Sequence, residues 1–405
     1  MNDTIRAARE SALRLLNPSQ RDLEHGLELH RSSLVVESYG FAPRAAVDGD
    51  GMRALIDQGA SDVELQDFNE WSRMTGFLTR PAELEEVRAA WDVAGVTCIL
   101  QNAGEEGQSA LRLLKRLAHF SYVADACRDL FVRATHPDDI VAAWRQGKRC
   151  LYLSGNGVPL PEQWLSVAGE LAYIRIFYEL GVRMMHLTYN RRNMIGDGCA
   201  EPANAGLSDF GRAVVAEMNR VGVIVDVAHA GWQTSLEAAR ASTKPMVASH
   251  TTACAVHDHI RAKPDDVIRA ICDTGGYVGI CCVPRFLGRS GDINAMLDHI
   301  DYVAKKFGAD HVTIGTDVAY TSRNDAAERA KYRAPRTRPR WESFWPPEDP
   351  DTAARYHRPE QVDSMAWTNF PLFTVGLVQR GYSDEDIQKI LGTNVLRVTR
   401  ASLTS

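Results

Sequence analysis

Hydrophobic residues in this chain gather into eight short continuous runs, separated by stretches with helical spacing. The runs cover 34–40, 96–101, 149–154, 182–189, 222–229, 245–250, 276–283 and 311–317. Continuous β-branched and aliphatic runs of this length are the pattern of buried parallel strands. Between them, apolar positions recur every three to four residues over 81–93, 108–130, 161–180, 207–221, 231–241, 264–274 and 292–307. Cap chemistry marks several helix starts: Ser208-Asp209 precedes the 210–221 run, and Pro264-Asp265-Asp266 precedes Val267. Such alternation predicts an α/β fold with a parallel sheet, and eight strands is the number that closes into a (β/α)8 TIM-type barrel. A doubly wound open sheet is the alternative, but no GxGxxG follows the first strand.

Residues 1–33 read as a polar helical lead-in, and 34–400 as a single barrel domain. Two regions break the alternation: a mixed connection at 42–80, and an insertion after strand 8 at 318–360 that is rich in Arg, Pro and Trp. Connections this long in a compact domain are lids, binding loops or disordered segments. Both follow strands, so both are expected on the face that carries the site, and the insertion reads equally as a lid or a dimerisation arm. A helical tail is expected around 384–400.

Composition narrows the partners. With 405 residues, 45% of them hydrophobic, the chain can bury a large core, and its net charge of −6 gives no basic footprint for nucleic acid. No apolar run approaches the ~20 residues of a membrane span. The segment Met1 to Leu16 is charged throughout and reads as an amphipathic helix, not a signal peptide. The eight cysteines show no CxxC pair or scaffold spacing, which points to a reducing, cytoplasmic location.

Three of the apolar runs end in a residue that can bind a metal: His229, His250 and Asp317. The tips of parallel strands are where a barrel builds its active site. Two imidazoles and a carboxylate from three such tips can converge on one divalent cation, which predicts a metallohydrolase. Each has a plainer reading: a histidine on an apolar strand can be a satisfied core group, and Asp317 can cap a turn.

The motifs that carry these residues resemble the renal (membrane) dipeptidase family. They include Gly206-Leu207-Ser208-Asp209-Phe210-Gly211, Val225-Asp226-Val227-Ala228-His229, Ser249-His250-Thr251, Arg261-Ala262-Lys263-Pro264-Asp265-Asp266, Ile314-Gly315-Thr316-Asp317 and Leu391-Gly392-Thr393-Asn394. The resemblance implies a (β/α)8 barrel, a two-zinc site, hydrolysis of dipeptides including those with a C-terminal D-residue, and a homodimer. It makes His229 and His250 ligands of one zinc. Asp317 becomes the aspartate against the other zinc and the attacking water, and Arg261 the grip on a substrate carboxylate.

The chain also departs from the family pattern. Where the family has a first-strand His-x-Asp, this sequence has Tyr39 and Phe41; Gly155 stands at the position of the bridging glutamate, and Tyr189 at that of a histidine that polarises the substrate. Phenylalanine and glycine offer a metal no side-chain donor. The expectation is therefore one zinc or other divalent ion per chain, held by His229, His250 and Asp317. Tyr39 and Tyr189 are expected to point into the pocket and bind substrate. Strand alternation puts Glu37, Tyr39 and Phe41 on one face, where Glu37 is a ligand or a hydrogen-bonded structural carboxylate. His186, His257 and His259 are not expected to be ligands. The substrate is a dipeptide or related small amide with a free carboxylate. The alternatives are non-peptide chemistry in the same pocket, such as lactam hydrolysis or a lyase step, and a catalytically impaired binding protein.

Overall fold

The computed structural model describes residues 1–104, 109–333, 343–346 and 358–403. All eight predicted strands form, as β1 (Val36–Arg44), β2 (Cys98–Asn102), β4 (Arg149–Gly155), β5 (Met184–His186), β6 (Ile224–Asp226), β7 (Ala248–Ala253), β9 (Val278–Ile280) and β10 (Val312–Ile314). Three more were not anticipated: β3 (Phe131–Ala134), β8 (Ala262–Lys263) and β11 (Ala319–Thr321). Every ladder is parallel, and helices cross between the strands, so the chain is an α/β protein.

Ladder hydrogen bonds divide the strands into two sheets, where closure predicts a single ring. One runs β11-β1-β2-β4-β5-β6 with β3 on β4, and the other runs β10-β9-β7-β8. At the β6–β7 seam only Asp226 and Val247 bridge. The cause is a side chain: Asp226 Oδ1 takes the N–H groups of Ala228 at 2.9 Å and Ser249 at 3.1 Å, which a longer ladder would otherwise use. At the other seam the Asp317 N–H reaches Tyr39 O at 3.4 Å. There Ser38 Oγ donates to Ser249 O at 2.7 Å and Ile314 O at 3.1 Å.

Strand alternation sorts the core into two clusters. Ile99, Leu151, Leu153, Met185 and Val225 pack with the helices. Leu100, Tyr152, Met184, Ile224, Val247 and Tyr277 form the second cluster, with Val395, Leu396 and Val398 of the C-terminal helix Asn394–Ser402 packed into it beside Leu34 and Val36. That helix covers the strands' N-terminal ends and leaves their C-terminal ends for the site.

Glu37 does not share a face with Tyr39. The β1–β2 register shifts between Glu37 and Gly40, so Glu37 turns to the helix side and Tyr39 to the second cluster. The Glu37 carboxyl receives the Thr316 N–H at 3.1 Å, the Thr316 hydroxyl, and Trp367 Nε1–H at 2.8 Å. It is the hydrogen-bonded structural carboxylate of the two expected readings.

The helix expected over 108–130 stops at Ala126, and β3 and a helix Pro137–Arg145 follow it. The helix expected over 161–180 starts only at Val167, because the Glu170 carboxylate gathers the N–H groups of Glu162, Gln163 and Trp164 at 2.7–2.9 Å. The lead-in forms helices Asp3–Leu16 and Gln20–Ser32. Among the described residues no helix is long and apolar enough to cross a membrane.

Two buried histidines give the fold a pH dependence. His30 Nε2 lies 2.9 Å from Ala94 O and its Nδ1 2.8 Å from Thr374 Oγ1. His299 Nε2 lies 3.0 Å from Leu287 O and its Nδ1 accepts the Ala253 N–H at 3.1 Å. Burial pushes both down to about 4. The unfolded chain takes up these protons near pH 6.5 and the folded chain does not. The contribution is therefore present above pH 6.5 and is lost as pH falls toward 4, by up to about 3 kcal/mol per histidine. Urea midpoints on chelator-treated protein should fall steadily from pH 7 to pH 5; a flat profile would rule out neutral buried imidazoles as the cause.

Candidate metal and active site

Side chains from the C-terminal ends of the strands converge on a group of imidazoles. His229 follows β6, His250 lies in β7 and His186 ends β5; their ring centroids are 4.9–5.3 Å apart. His229 Nδ1 faces Asn190 Oδ1 at 2.7 Å, which places the proton on Nδ1 and makes Nε2 an acceptor. That Nε2 lies 2.9 Å from His250 Nε2, and His250 Nδ1 meets Ser249 Oγ at 2.8 Å. Burial first, then the Arg261 charge, hold both imidazoles well below their ordinary range. Both are therefore neutral at pH 7, the form that binds metals.

Tyr39 and Tyr189 are both brought to the site, but as ring platforms. Tyr39 stacks on His250 at 3.8 Å and 15°, and Tyr189 on His229 at 4.1 Å and 25°. The Tyr39 hydroxyl donates to Asn156 Oδ1 at 2.8 Å, and Phe41 meets the Tyr39 ring edge-on at 5.9 Å.

Arg261 is buried against the same histidines. Its Nη1 donates to Ala228 O, and its Nη2 lies 3.2 Å from His250 O and 3.3 Å from His229 Nε2. Its Nε has no hydrogen-bond partner among the described residues. Lys263 is buried beside it, with Nζ 2.6 Å from Ala230 O, and burial pushes its amine down to about 7. The Arg261 N–H donates to His259 Nδ1 at 3.1 Å, which ties His259 to the loop.

His186 and Asp226 join the site, although no motif pairs them. They face each other directly across the β5–β6 ladder. His186 Nε2 and Asp226 Oδ2 approach to 2.7 Å, both fully buried, and His186 Nδ1 has no hydrogen-bond partner among the described residues. Burial raises the Asp226 carboxyl, but His186 and the bonds from Ser249 outweigh it and hold the group below its ordinary value. One ligand atom each from His186, Asp226 and His250 lie within 4.8 Å of one another, all buried. Among the described residues, Asp317 is not part of that group. It sits just beyond β10 in the left-handed region, at φ 59°.

A described piece of the insertion covers this end. Arg191 holds it through Ser343 O at 3.1 Å and Trp345 O at 2.7 Å. Phe344 then meets Tyr189 edge-on at 5.2 Å, and Trp345 stacks on Phe286 at 5.9 Å. The rest of the stretch expected to be a lid or dimer arm, 334–342 and 347–357, lies outside the described residues.

The chain is similar to known proteins. A dipeptidase of Claviceps purpurea is 26% identical over 278 residues, covering 67% of this chain and 55% of its own. An uncharacterized dipeptidase of Schizosaccharomyces pombe is 30% identical over 242 residues, 58% of this chain and 50% of its own. The chain thus spans about half the length of these curated relatives. A solved amidohydrolase from Pseudomonas aeruginosa superposes with a TM-score of 0.67 at 26% identity, covering 93% of this chain and 98% of its own. The membrane dipeptidase family pattern itself (peptidase family M19) matches residues 60–327, and the chain belongs to that family.

Proposed function

We propose that this protein is a metal-dependent hydrolase of the dipeptidase type, acting on a dipeptide or related small amide with a free carboxylate. The observation that carries the reading is the buried His186–Asp226–His250 group, whose ligand atoms lie within 4.8 Å of one another. A divalent cation would take one donor atom from each of the three residues. The donors fit a zinc or similar ion: two imidazoles and a carboxylate held below its ordinary value, all buried. His186, Asp226 and His250 would hold it, with His229 adjacent at 2.9 Å from His250. Tyr39, Phe41 and Gly155 supply no second set, which supports one ion per chain.

When bound, the ion supplies a Lewis acid and lowers the pKa of a coordinated water toward ~7. Asp317, at the adjoining strand end, is proposed to take the attacking water's proton and deliver it to the leaving amine. Burial and then the Arg261 charge keep His229 and His250 neutral, and the Arg261 Nε–H is the donor left for a substrate carboxylate. Ser343–Pro346, clamped by Arg191, is proposed to act as part of a lid that excludes water. The rings of Tyr189, Phe344 and Trp345 favour a second reading of the same site, action on a bulkier non-peptide amide or lactam. The family resemblance supports a homodimer, and eight unpaired cysteines support a cytoplasmic location.

Metal analysis of protein purified without chelator, alongside hydrolysis of a dipeptide panel, tests the reading. About one ion per chain and turnover of at least some dipeptides are expected. Two ions per chain would refute the single-site assignment. One ion with no dipeptide turnover would favour the non-peptide reading, and a folded chain that takes up no ion would refute both.

A further inference from the structure

A cavity of about 120 Å3 lies outside the imidazole site, at the C-terminal ends of β1 and β2 and beside helices Asp62–Thr75 and Ala110–Ala126. Its exposed wall is chiefly apolar, with Met74, Phe77, Phe120 and Phe131, and Arg44, Arg73, Arg116 and Glu70 line it with three amide side chains, Asn69, Gln101 and Asn102. Two of these cations are matched: Arg73 to Asp325 at 2.6 Å, and Arg116 to Glu70 at 2.7 Å. Arg44 is the exception. It forms no ion pair among the described residues, and its buried Nε has no hydrogen-bond partner. Burial, then the charge of Arg73, push its guanidinium down to about 10, and Asp325 only partly opposes them.

A chiefly apolar cavity whose wall holds one cation without a carboxylate partner, its guanidinium 5.8 Å from the Phe41 ring, selects among anions. A small hydrophilic anion would give up more hydration than a few amide groups return. A ligand with an apolar body gains from the walls, and a dry cavity of ~150 Å3 is known to take benzene. A carboxylate end would give Arg44 the charge-assisted bond it lacks. We propose that this cavity binds a small carboxylate with an aromatic or branched aliphatic body, its charge on Arg44 and its body among Phe77, Phe120 and Phe131. Phe41 connects it to the imidazoles, since it also lines the cavity and abuts Tyr39, which stacks on His250.

Calorimetric titration of the full chain with phenylacetate tests this. Inorganic phosphate probes charge alone, and benzyl alcohol probes the apolar body alone. Saturable phenylacetate binding is expected, at least about tenfold tighter than either control. Arg44→Met should weaken it about ten- to a hundredfold, the range for loss of a charge-assisted hydrogen bond. Met74→Trp, which fills the cavity and keeps Arg44, should abolish it, and His250→Ala should leave it unchanged. Thermal melting checks that each variant folds; if Arg44→Met does not, Met74→Trp decides alone. The proposal is overturned by absence of saturable binding, by phosphate binding as tightly, by full affinity in Met74→Trp, or by loss in His250→Ala.

Discussion

Replacing His250 with alanine is expected to strip the chain of bound metal and to lower kcat/KM on its best substrate by well over about a hundredfold. Loss of a group that merely orients a ligand costs ~10–100-fold, and loss of the ligand itself should exceed that. His250 is the donor common to both arrangements considered: the pair with His229 drawn from the motifs, and the group with His186 and Asp226 drawn from the geometry. Its removal also takes away the ring on which Tyr39 stacks. Two companion variants then separate the arrangements. If His186 and Asp226 are ligands, His186→Ala loses the ion outright while His229→Ala only weakens its retention; if the motif pair holds it, the order reverses. Metal content after dialysis gives the answer directly. A His250→Ala protein that keeps one ion per chain and a tenth of its activity would defeat the assignment.

The strands were legible because a strand buried on both faces leaves a continuous apolar run, and His229 and His250 were legible because each closes one. His186 and Asp226 were not, although both lie in such runs. A lone histidine inside an aliphatic strand reads as core, and only the β5–β6 register sets it opposite Asp226. Register belongs to the assembled sheet, and no local pattern states it. Glu37 was misplaced for a related reason: one irregularity between Glu37 and Gly40 reverses the face that strict alternation assigns. Asp226 likewise hides the seam between the sheets, since its carboxylate takes N–H groups that a continuous ladder would use. Tyr39 and Tyr189 are legible as pocket residues from strand position alone, but the stacking of their rings on the imidazoles depends on the assembled strand ends. The strand Phe131–Ala134 was lost inside a stretch whose spacing is helical on either side.

Truncating Trp367 is expected to bring the fold close to collapse. Its indole is 1% exposed and meets Trp91 edge-on at 5.1 Å and Phe370 at 6.2 Å. A buried Trp→Ala change costs about 3–5 kcal/mol through lost transfer energy and the cavity left behind. It also removes the Nε1–H that Glu37 accepts at 2.8 Å. An acceptor left buried without its donor adds about 1–3 kcal/mol. The sum is a large part of the 5–15 kcal/mol that usually separates folded from unfolded chains. Trp367→Phe keeps most of the apolar volume and deletes the donor, so it isolates the second contribution. Burial raises the Glu37 carboxyl to about 8, against the bonds from Thr316 and Trp367 that favour its ionised form. A raised carboxyl contributes stability that is fully present below its unfolded value near 4.5 and is lost as pH rises through 8. Without the indole donor the ionised form is held less well, so the deficit of Trp367→Phe relative to the parent should widen between pH 6 and pH 9. Other titrating groups cancel in that difference. Urea unfolding of both proteins at the two pH values measures it, and a deficit that stays constant would show that the indole does not act through Glu37.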